Sequence, residues 1–360
     1  MEKEKKNSAK SFSMNGGDGP NSYLKNSSYQ RGAVDGAKGM IREAIEEKLH
    51  ISSSSPSDTI YIADLGCSVG QNTFIAIQNI VEAIERKSQS QGLGPQTPEF
   101  QVFFSDQVSN DFNKLFTSLP PQRQYFAAAV PGSFYNRLFP KQSLHFIYCS
   151  YSLQWLSKVP KEVEDMNSPA WNKGRIHYVE AQKEVVDAYF AQFVKDMESF
   201  LSARSQELLS GGLMALILPT YTKEMLSIKS FRRPLDILGS CLMEMSKKGI
   251  VSEAKVDSFN VPVYSPSSKE LEEVIKNTGY FSIERLELLS ISKKYKAGPD
   301  AKTFSMHIRA GLEGIIDEHF GREIIDELFV LFARKVAEYS HIYNSENRVN
   351  EDLFVILCRK

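Results

Sequence analysis

Four short stretches of this 360-residue chain are almost continuously apolar: TIYIADLG (59–66), EFQVFFSD (99–106), SLHFIYCS (143–150) and GLMALILP (212–219). Strands buried on both faces of a parallel sheet carry this signature. Between the first two the period lengthens. In TFIAIQNIVEAIERK (73–87), Phe74, Ile77, Ile80, Val81 and Ile84 share one face of a helix. A second helical pattern at about 181–209 runs into Gly211 and Gly212, which read as a helix end with a strand after it. The chain closes on DLFVILCRK, a last strand. Strands alternating with helices predict an open α/β sheet.

Two segments fall outside that alternation. SQSQGLGPQTP (88–98) is a surface loop by composition, and 221–277 is mostly helical in pattern, broken by Pro262 and Pro266. The second predicts a helical cap beside the sheet. Its Leu226, Ile228, Phe231, Leu235 and Met243 either shape one end of a pocket or pack the cap down.

Composition narrows the function. The 43 basic and 44 acidic side chains leave a net charge of -1, with no basic footprint for nucleic acid. No run reaches the ~18 apolar residues of a membrane span. The opening MEKEKKNSAKS (1–11) lacks the apolar core of a secretory signal and reads as a frayed tail. Cys67, Cys149, Cys241 and Cys358 fit no zinc spacing, so reduced thiols in a cytoplasmic setting are expected. His145, within an apolar strand pattern, reads as a satisfied core residue and not a base.

The candidate chemistry lies in IADLGCSVGQNT (62–73). Gly66 and Gly70 are four apart, unlike the G-x-G-x-x-G of a dinucleotide turn, and the next strand ends on an acid only at Asp106. A carboxylate there suits both hydroxyls of a ribose, and Asp64 at the end of the first strand can face a cation. One nucleoside with a positive charge and no phosphate describes S-adenosylmethionine. The plainer alternative is a tight strand–helix turn with turn or cap aspartates.

Six ordered motifs extend the picture: NGGDGPNSY (15–23), NSSYQ (26–30), ADLGCSVGQNT (63–73), SNDFN (109–113), VPGSFYNRLFP (130–140) and SYSLQWLSKVP (150–160). From about Phe12 to the C-terminus the chain resembles the plant SABATH methyltransferases, which methylate small carboxylic acids and, in some branches, xanthine nitrogens. YQRG (29–32), NKGRIHY (172–178) and VDSFNVP (256–262) are most similar to its loganic-acid branch. The resemblance implies a Rossmann-like class I methyltransferase core, here 12–220 with 278–360, helices on both faces of the sheet, and the cap at 221–277. It also implies a homodimer.

Carried over by motif, the cofactor contacts fall on Tyr23, Asp64, Cys67, Asn72, Asp106, Gln107, Ser133 and Phe134. Asp106 would hold the ribose and Phe134 the adenine. Gln107 stands where the family often has leucine, Cys67 would act through its backbone, and Ser133 could equally be a turn serine. The acid's carboxylate would meet the neutral donors Gln30 and Trp155, with Tyr151 and Gln154 lining the same pocket. Trp155 could instead fill the core. Some family members also show a divalent metal site, Mg2+ for example, which maps here to Asn172, Asp257, Phe259 and Asn260; a polar loop beside the cap is the alternative.

The expected reaction is in-line methyl transfer to an acid already ionised at neutral pH, so no catalytic base is named. Two rivals remain from the sequence alone: a purine N-methyltransferase sharing the fold, and a non-catalytic sensor of small acids.

Overall fold

The computed structural model of the chain describes residues 13–50, 59–91, 98–221, 234–289, 300–339 and 351–360. The four apolar runs become β1 (Ile60–Leu65), β2 (Phe100–Asp106), β4 (Leu144–Ser150) and β5 (Leu208–Thr220). Two further strands were not anticipated. β3 (Phe126–Pro131) is alanine-rich and largely exposed at a sheet edge, and β6 (Phe281–Leu288) interleaves charge with apolar residues. With the last strand, β7 (Glu351–Arg359), they form one sheet in the order β3-β2-β1-β4-β5-β7-β6. The first five are parallel, while β7 runs antiparallel between β5 and β6.

Period-two geometry explains the near-continuous apolar runs. Ile62, Phe146 and Tyr148 face one layer, while Ala63, Ile147 and Cys149 face the other. The first layer holds α2 (Ser28–Lys48), which follows the short α1 (Tyr23–Asn26), and α3 (Gln71–Ser90). The patterned residues Phe74, Ile77, Ile80, Val81 and Ile84 are all buried here. The helix runs three residues further than its pattern, into the stretch read as loop. After the six-residue α4 (Phe112–Thr117), the second layer is α5 (Lys183–Glu207).

The glycines after α5 do not end it. The helix stops at Glu207 and β5 begins at once, pairing Leu208 with Leu144. Gly211, at φ +74°, sits inside the strand beside a register shift between Leu144 and Phe146. A strand irregularity, and not a helix cap, is what needs the left-handed backbone.

The cap region contributes α6 (Pro234–Lys247), α7 (Glu253–Asp257) and α8 (Ser268–Thr278). α6 packs with α9 (Ala301–Phe320) and α10 (Ile325–Glu338) in a separate apolar cluster. α8 instead buries Leu271, Val274 and Ile275 in the layer of α5. Leu235 and Met243 pack half-buried against the cap cluster; Leu226, Ile228 and Phe231 lie outside the described residues. Cap and sheet are joined by a backbone bridge between Trp155 and Val263 and by Leu156 N–H donating to Pro262 O (2.8 Å).

Among the described residues no helix is long and apolar enough to cross a membrane. All four cysteines are free thiols. His145 is half-exposed and not core, and its Nδ1 accepts from Tyr61 N–H (3.1 Å).

Candidate active site

The sheet changes direction at β1, whose neighbours are β2 and β4, and the crevice beyond their C-terminal ends is where open α/β sheets bind ligands. The glycine turn lies there. Gly66 has φ +84° and Gly70 +112°, and a Cβ on Gly66 would lie 2.6 Å from Ser152 Cβ. Gly66 N–H and Cys67 N–H both donate to Ser105 O (2.8 and 3.1 Å), and Ser68 N–H donates to Asp106 Oδ2 (2.7 Å). Three successive amides are therefore committed inside the protein. A phosphate would need them bare, so the turn offers a close backbone approach without an anion nest.

Asp106 ends β2, as expected, and Gln107 N–H donates to its other oxygen (2.7 Å). Burial raises its carboxyl to about 6, with the two amide bonds pulling the other way. Asp64 is buried near the end of β1 and accepts from the Thr73 hydroxyl. Its carboxyl rises to about 7, chiefly from burial, with Thr73 opposing and Asp106 adding repulsion. Tyr23 completes the acidic corner. Its hydroxyl is pushed up by burial and then by both aspartates, so it stays a neutral donor. Two such carboxylates beside a phenol are the chemistry that a cation with hydroxyls would call for.

Cys67 is buried with its thiol raised by burial, consistent with a backbone role. Asn72 lies in the first turn of α3, but its N–H2 donates to Ser27 O and Oγ (2.9 and 3.0 Å). That bond locks α3 to the start of α2. Ser133 Oγ accepts from Tyr135 N–H (3.3 Å), a turn contact. The Phe134 ring packs edge-on against Tyr135 and Phe200 and is 7% exposed. Asn110, in the SNDFN motif but not singled out from sequence, donates to Ser68 O (3.1 Å) and stiffens the turn.

The residues expected to meet the acid lie on α2 and in the turn after β4. Gln30 is half-buried and its Oε1 has no hydrogen-bond partner. Gln154 Nε2 donates to Tyr151 O (2.8 Å), and its own Oε1 is also buried without a partner. Trp155 is half-buried against the cap cluster, held by its backbone bridge and by Tyr135 hydroxyl donating to Trp155 O (2.6 Å). No acceptor among the described residues takes its indole N–H. The rings of Tyr29 and Tyr151 meet edge-on at 5.8 Å, so the two donor-bearing segments touch. Unpartnered buried amide atoms and an unengaged indole are what a site for a polar ligand leaves behind.

The residues mapped to a metal are also gathered. Asn172 Nδ2 donates to Asn260 Oδ1 (2.7 Å), Asp257 Oδ1 accepts from Gly174 N–H (2.8 Å), and Phe259 is buried one residue from Asn260. Asn172 Oδ1 is buried and unpartnered, and the available donors are oxygens with one carboxylate among them. That set fits a weakly held hard cation. No group of three or more His, Cys, Asp or Glu is clustered among the described residues.

A parallel sheet with its last strand reversed, and acids where its first two strands end, is the arrangement of the S-adenosylmethionine-dependent methyltransferases. Residues 9–360 match the family described as SAM dependent carboxyl methyltransferase, and the chain belongs to that family. It is 50% identical to loganic acid O-methyltransferase of Catharanthus roseus, over 96% of this chain and 94% of that protein. It is 39% identical to paraxanthine methyltransferase 2 of Arabidopsis thaliana, covering 90% and 92%. Among solved structures it is similar to loganic acid methyltransferase with SAH: TM-score 0.91, 48% identity, covering 96% of this chain and 98% of that one. The chain is a carboxyl methyltransferase that uses S-adenosylmethionine.

Proposed function

We propose that the acceptor is a small terpenoid acid like loganic acid, or a salicylate-, farnesoate- or gibberellin-like acid, bound by Gln30 and Trp155 beside the methyl donor. The observation that carries this reading is the unengaged Trp155 indole and Gln30 amide on touching segments, with the unpartnered Gln154 Oε1 beside them. Methyl transfer from sulfonium to carboxylate cancels two charges. Strong cationic clamps on the acid would hold the ground state more tightly than the transition state, so neutral donors favour turnover. A carboxylic acid with pKa near ~4 is already the nucleophile at neutral pH and needs no base. Positioning is then the main contribution, and effective molarities of ~10⁵ M or more are available to aligned reactants.

The same reading assigns the ribose to Asp106 and the cationic part of the cofactor to Asp64 and Tyr23. Ser133, Phe134 and Gln107 would frame the adenine, while Asn72 and Cys67 would shape the turn beneath it. A divalent ion such as Mg2+ would be held by Asn172, Asp257, Asn260 and the Phe259 carbonyl and would stiffen the cap; calorimetry with Mg2+ and an Asp257→Ala variant tests it. A cytoplasmic homodimer is part of the proposal, checked by light scattering and by localisation of a tagged chain.

The deciding experiment incubates the protein with S-adenosylmethionine and, separately, loganic, farnesoic, salicylic and gibberellic acids and xanthines, with products read by mass spectrometry. A methyl ester supports the reading, and an N-methyl xanthine replaces it with nitrogen methylation. No methylated product from any compound would leave the sensor.

A further inference from the structure

Two phenols converge on one carboxylate oxygen at the mouth of the sheet. Tyr29 hydroxyl and Tyr151 hydroxyl both donate to Asp352 Oδ2, at 2.9 and 2.7 Å. Asp352 is 1% exposed, and nothing in the reading of the cofactor or the acid so far employs it. It reaches this place because β7 runs against the parallel strands: its beginning, not its end, lies at their C-terminal edge, with Asp352 paired to Pro219 at the end of β5.

The two tyrosines belong to the segments that carry the proposed acid donors. Tyr29 precedes Gln30 on α2. Tyr151 is in the turn after β4, where its carbonyl holds the Gln154 amide. Tyr151 also has φ +52°, a conformation a bulky residue keeps only where its surroundings impose it. His307 of α9 lies against Tyr29 (ring centroids 6.4 Å) with its Nδ1 2.7 Å from Asn26 O, closing the cluster. Burial raises the Asp352 carboxyl to about 6, both phenol bonds pulling it back, so at neutral pH it is ionised.

An ionised carboxylate accepts and never donates. Each phenol donates to it. We propose that Asp352 is a positioning residue of the acid pocket: it locks Tyr29 and Tyr151 into one unit and so holds Gln30, which follows Tyr29, and the turn from Tyr151 to Trp155 at a fixed separation for the substrate carboxylate. This inference rests on the acid pocket proposed above.

Asp352→Ala tests it by removing the acceptor. Both phenols then lose the bond that ties their segments together, and the acid donors lose their fixed separation. With whichever of loganic, farnesoic and salicylic acid the wild type methylates, the acid KM should rise about tenfold. S-Adenosylmethionine affinity by calorimetry should stay within about twofold, and kcat should fall less than KM rises. Simple loss of folded enzyme would lower apparent kcat and leave KM alone. Tyr29→Phe and Tyr151→Phe, which keep the carboxylate, should each raise the acid KM, and each should add little to Asp352→Ala because the three act as a unit. These two variants decide the matter should Asp352→Ala fail to fold. An unchanged acid KM, or a rise matched by equal loss of cofactor affinity, overturns the proposal while leaving carboxyl methylation intact. If the wild type methylates none of the three acids, the pocket reading fails, and this one with it.

Discussion

Arg204 and Glu207 form an ion pair at the end of α5 with both side chains wholly buried and Nε 2.7 Å from Oε2. The remaining valences hold one loop. Arg204 donates to Phe134 O (2.6 Å) and Asn136 O (2.9 Å), while Glu207 Oε1 accepts from Leu138 N–H (2.5 Å) and Phe139 N–H (3.0 Å). That loop carries Ser133 and Phe134, so the pair fixes the backbone of the segment proposed to frame the adenine.

Removing one partner of such a pair strands a buried charge. Arg204→Met is therefore expected to lower stability by ~3–5 kcal/mol and to weaken S-adenosylmethionine binding. Urea denaturation with and without cofactor checks both, and a midpoint equal to wild type would contradict the clamp. Arg204→Met with Glu207→Leu should recover stability more than affinity, because the loop amides remain unheld.

Asp106 accepts from the glycine turn and is proposed to hold the ribose. Asp106→Ala strips the acceptor from Ser68 N–H as well as from the ribose, so cofactor affinity should drop before any effect on kcat at saturation. Equal calorimetric affinity in the two proteins removes the assignment.

Asp64 gives the site a pH response. In the folded protein without ligand its proton is held up to about pH 7, against an ordinary value of 3.8, so the fold binds more protons than the unfolded chain between those values. Stability of the cofactor-free protein should accordingly fall as pH rises from about 4 to about 7. Cofactor affinity should do the opposite. The cation favours the ionised carboxylate, binding releases a proton, and affinity climbs by up to tenfold per pH unit before levelling above about 7. Asp106, near 6, extends the window downward. Calorimetry in two buffers of different ionisation enthalpy measures the released proton; zero release at pH 6 is the contrary result.

Gly66 is needed for two separable reasons. Gly66→Ala adds a methyl against Ser152 and also enforces φ +84° on a residue with a Cβ. Adding Ser152→Gly removes the clash and leaves the backbone cost, about 1–3 kcal/mol. Thermal melts of single and double variants should rank accordingly, with the double variant between Gly66→Ala and wild type. No recovery in the double variant would mean that the clash is not the problem.

Trp155→Phe keeps the apolar body against the cap and deletes one donor. A hydrogen bond to an anion is worth ~1.5–3 kcal/mol, so kcat/KM for the acid should fall about tenfold or more while cofactor affinity survives. An unchanged kcat/KM assigns Trp155 to packing.

Much of this was legible in the chain, because some patterns are local. Apolar runs must become strands buried on both faces, and the motif around Gly66 must turn sharply and end near an acid; β1, β2, β4, β5 and α3 followed directly. β3 did not, because an alanine-rich edge strand buries too little to leave a periodic mark, and Gly211 misled because a left-handed glycine serves a strand irregularity as well as a helix end. The motifs mark Asn72 and Phe134 as expected cofactor contacts, but only the tertiary structure shows that the amide holds Ser27 and the ring lies in the core. Asp352 left one local sign, an acid directly before the apolar run LFVIL, and Arg204 and Glu207 left two charges on a helix that buries both. What those charges do depends on Tyr29, Tyr151 and the 134–139 backbone, each far away in sequence. Apart from the local bonds Arg204–Glu207 and Asp64–Thr73, the partners of these buried charges are chosen by the packing of distant elements, and no stretch of sequence short enough to read as a pattern contains both ends of such a bond.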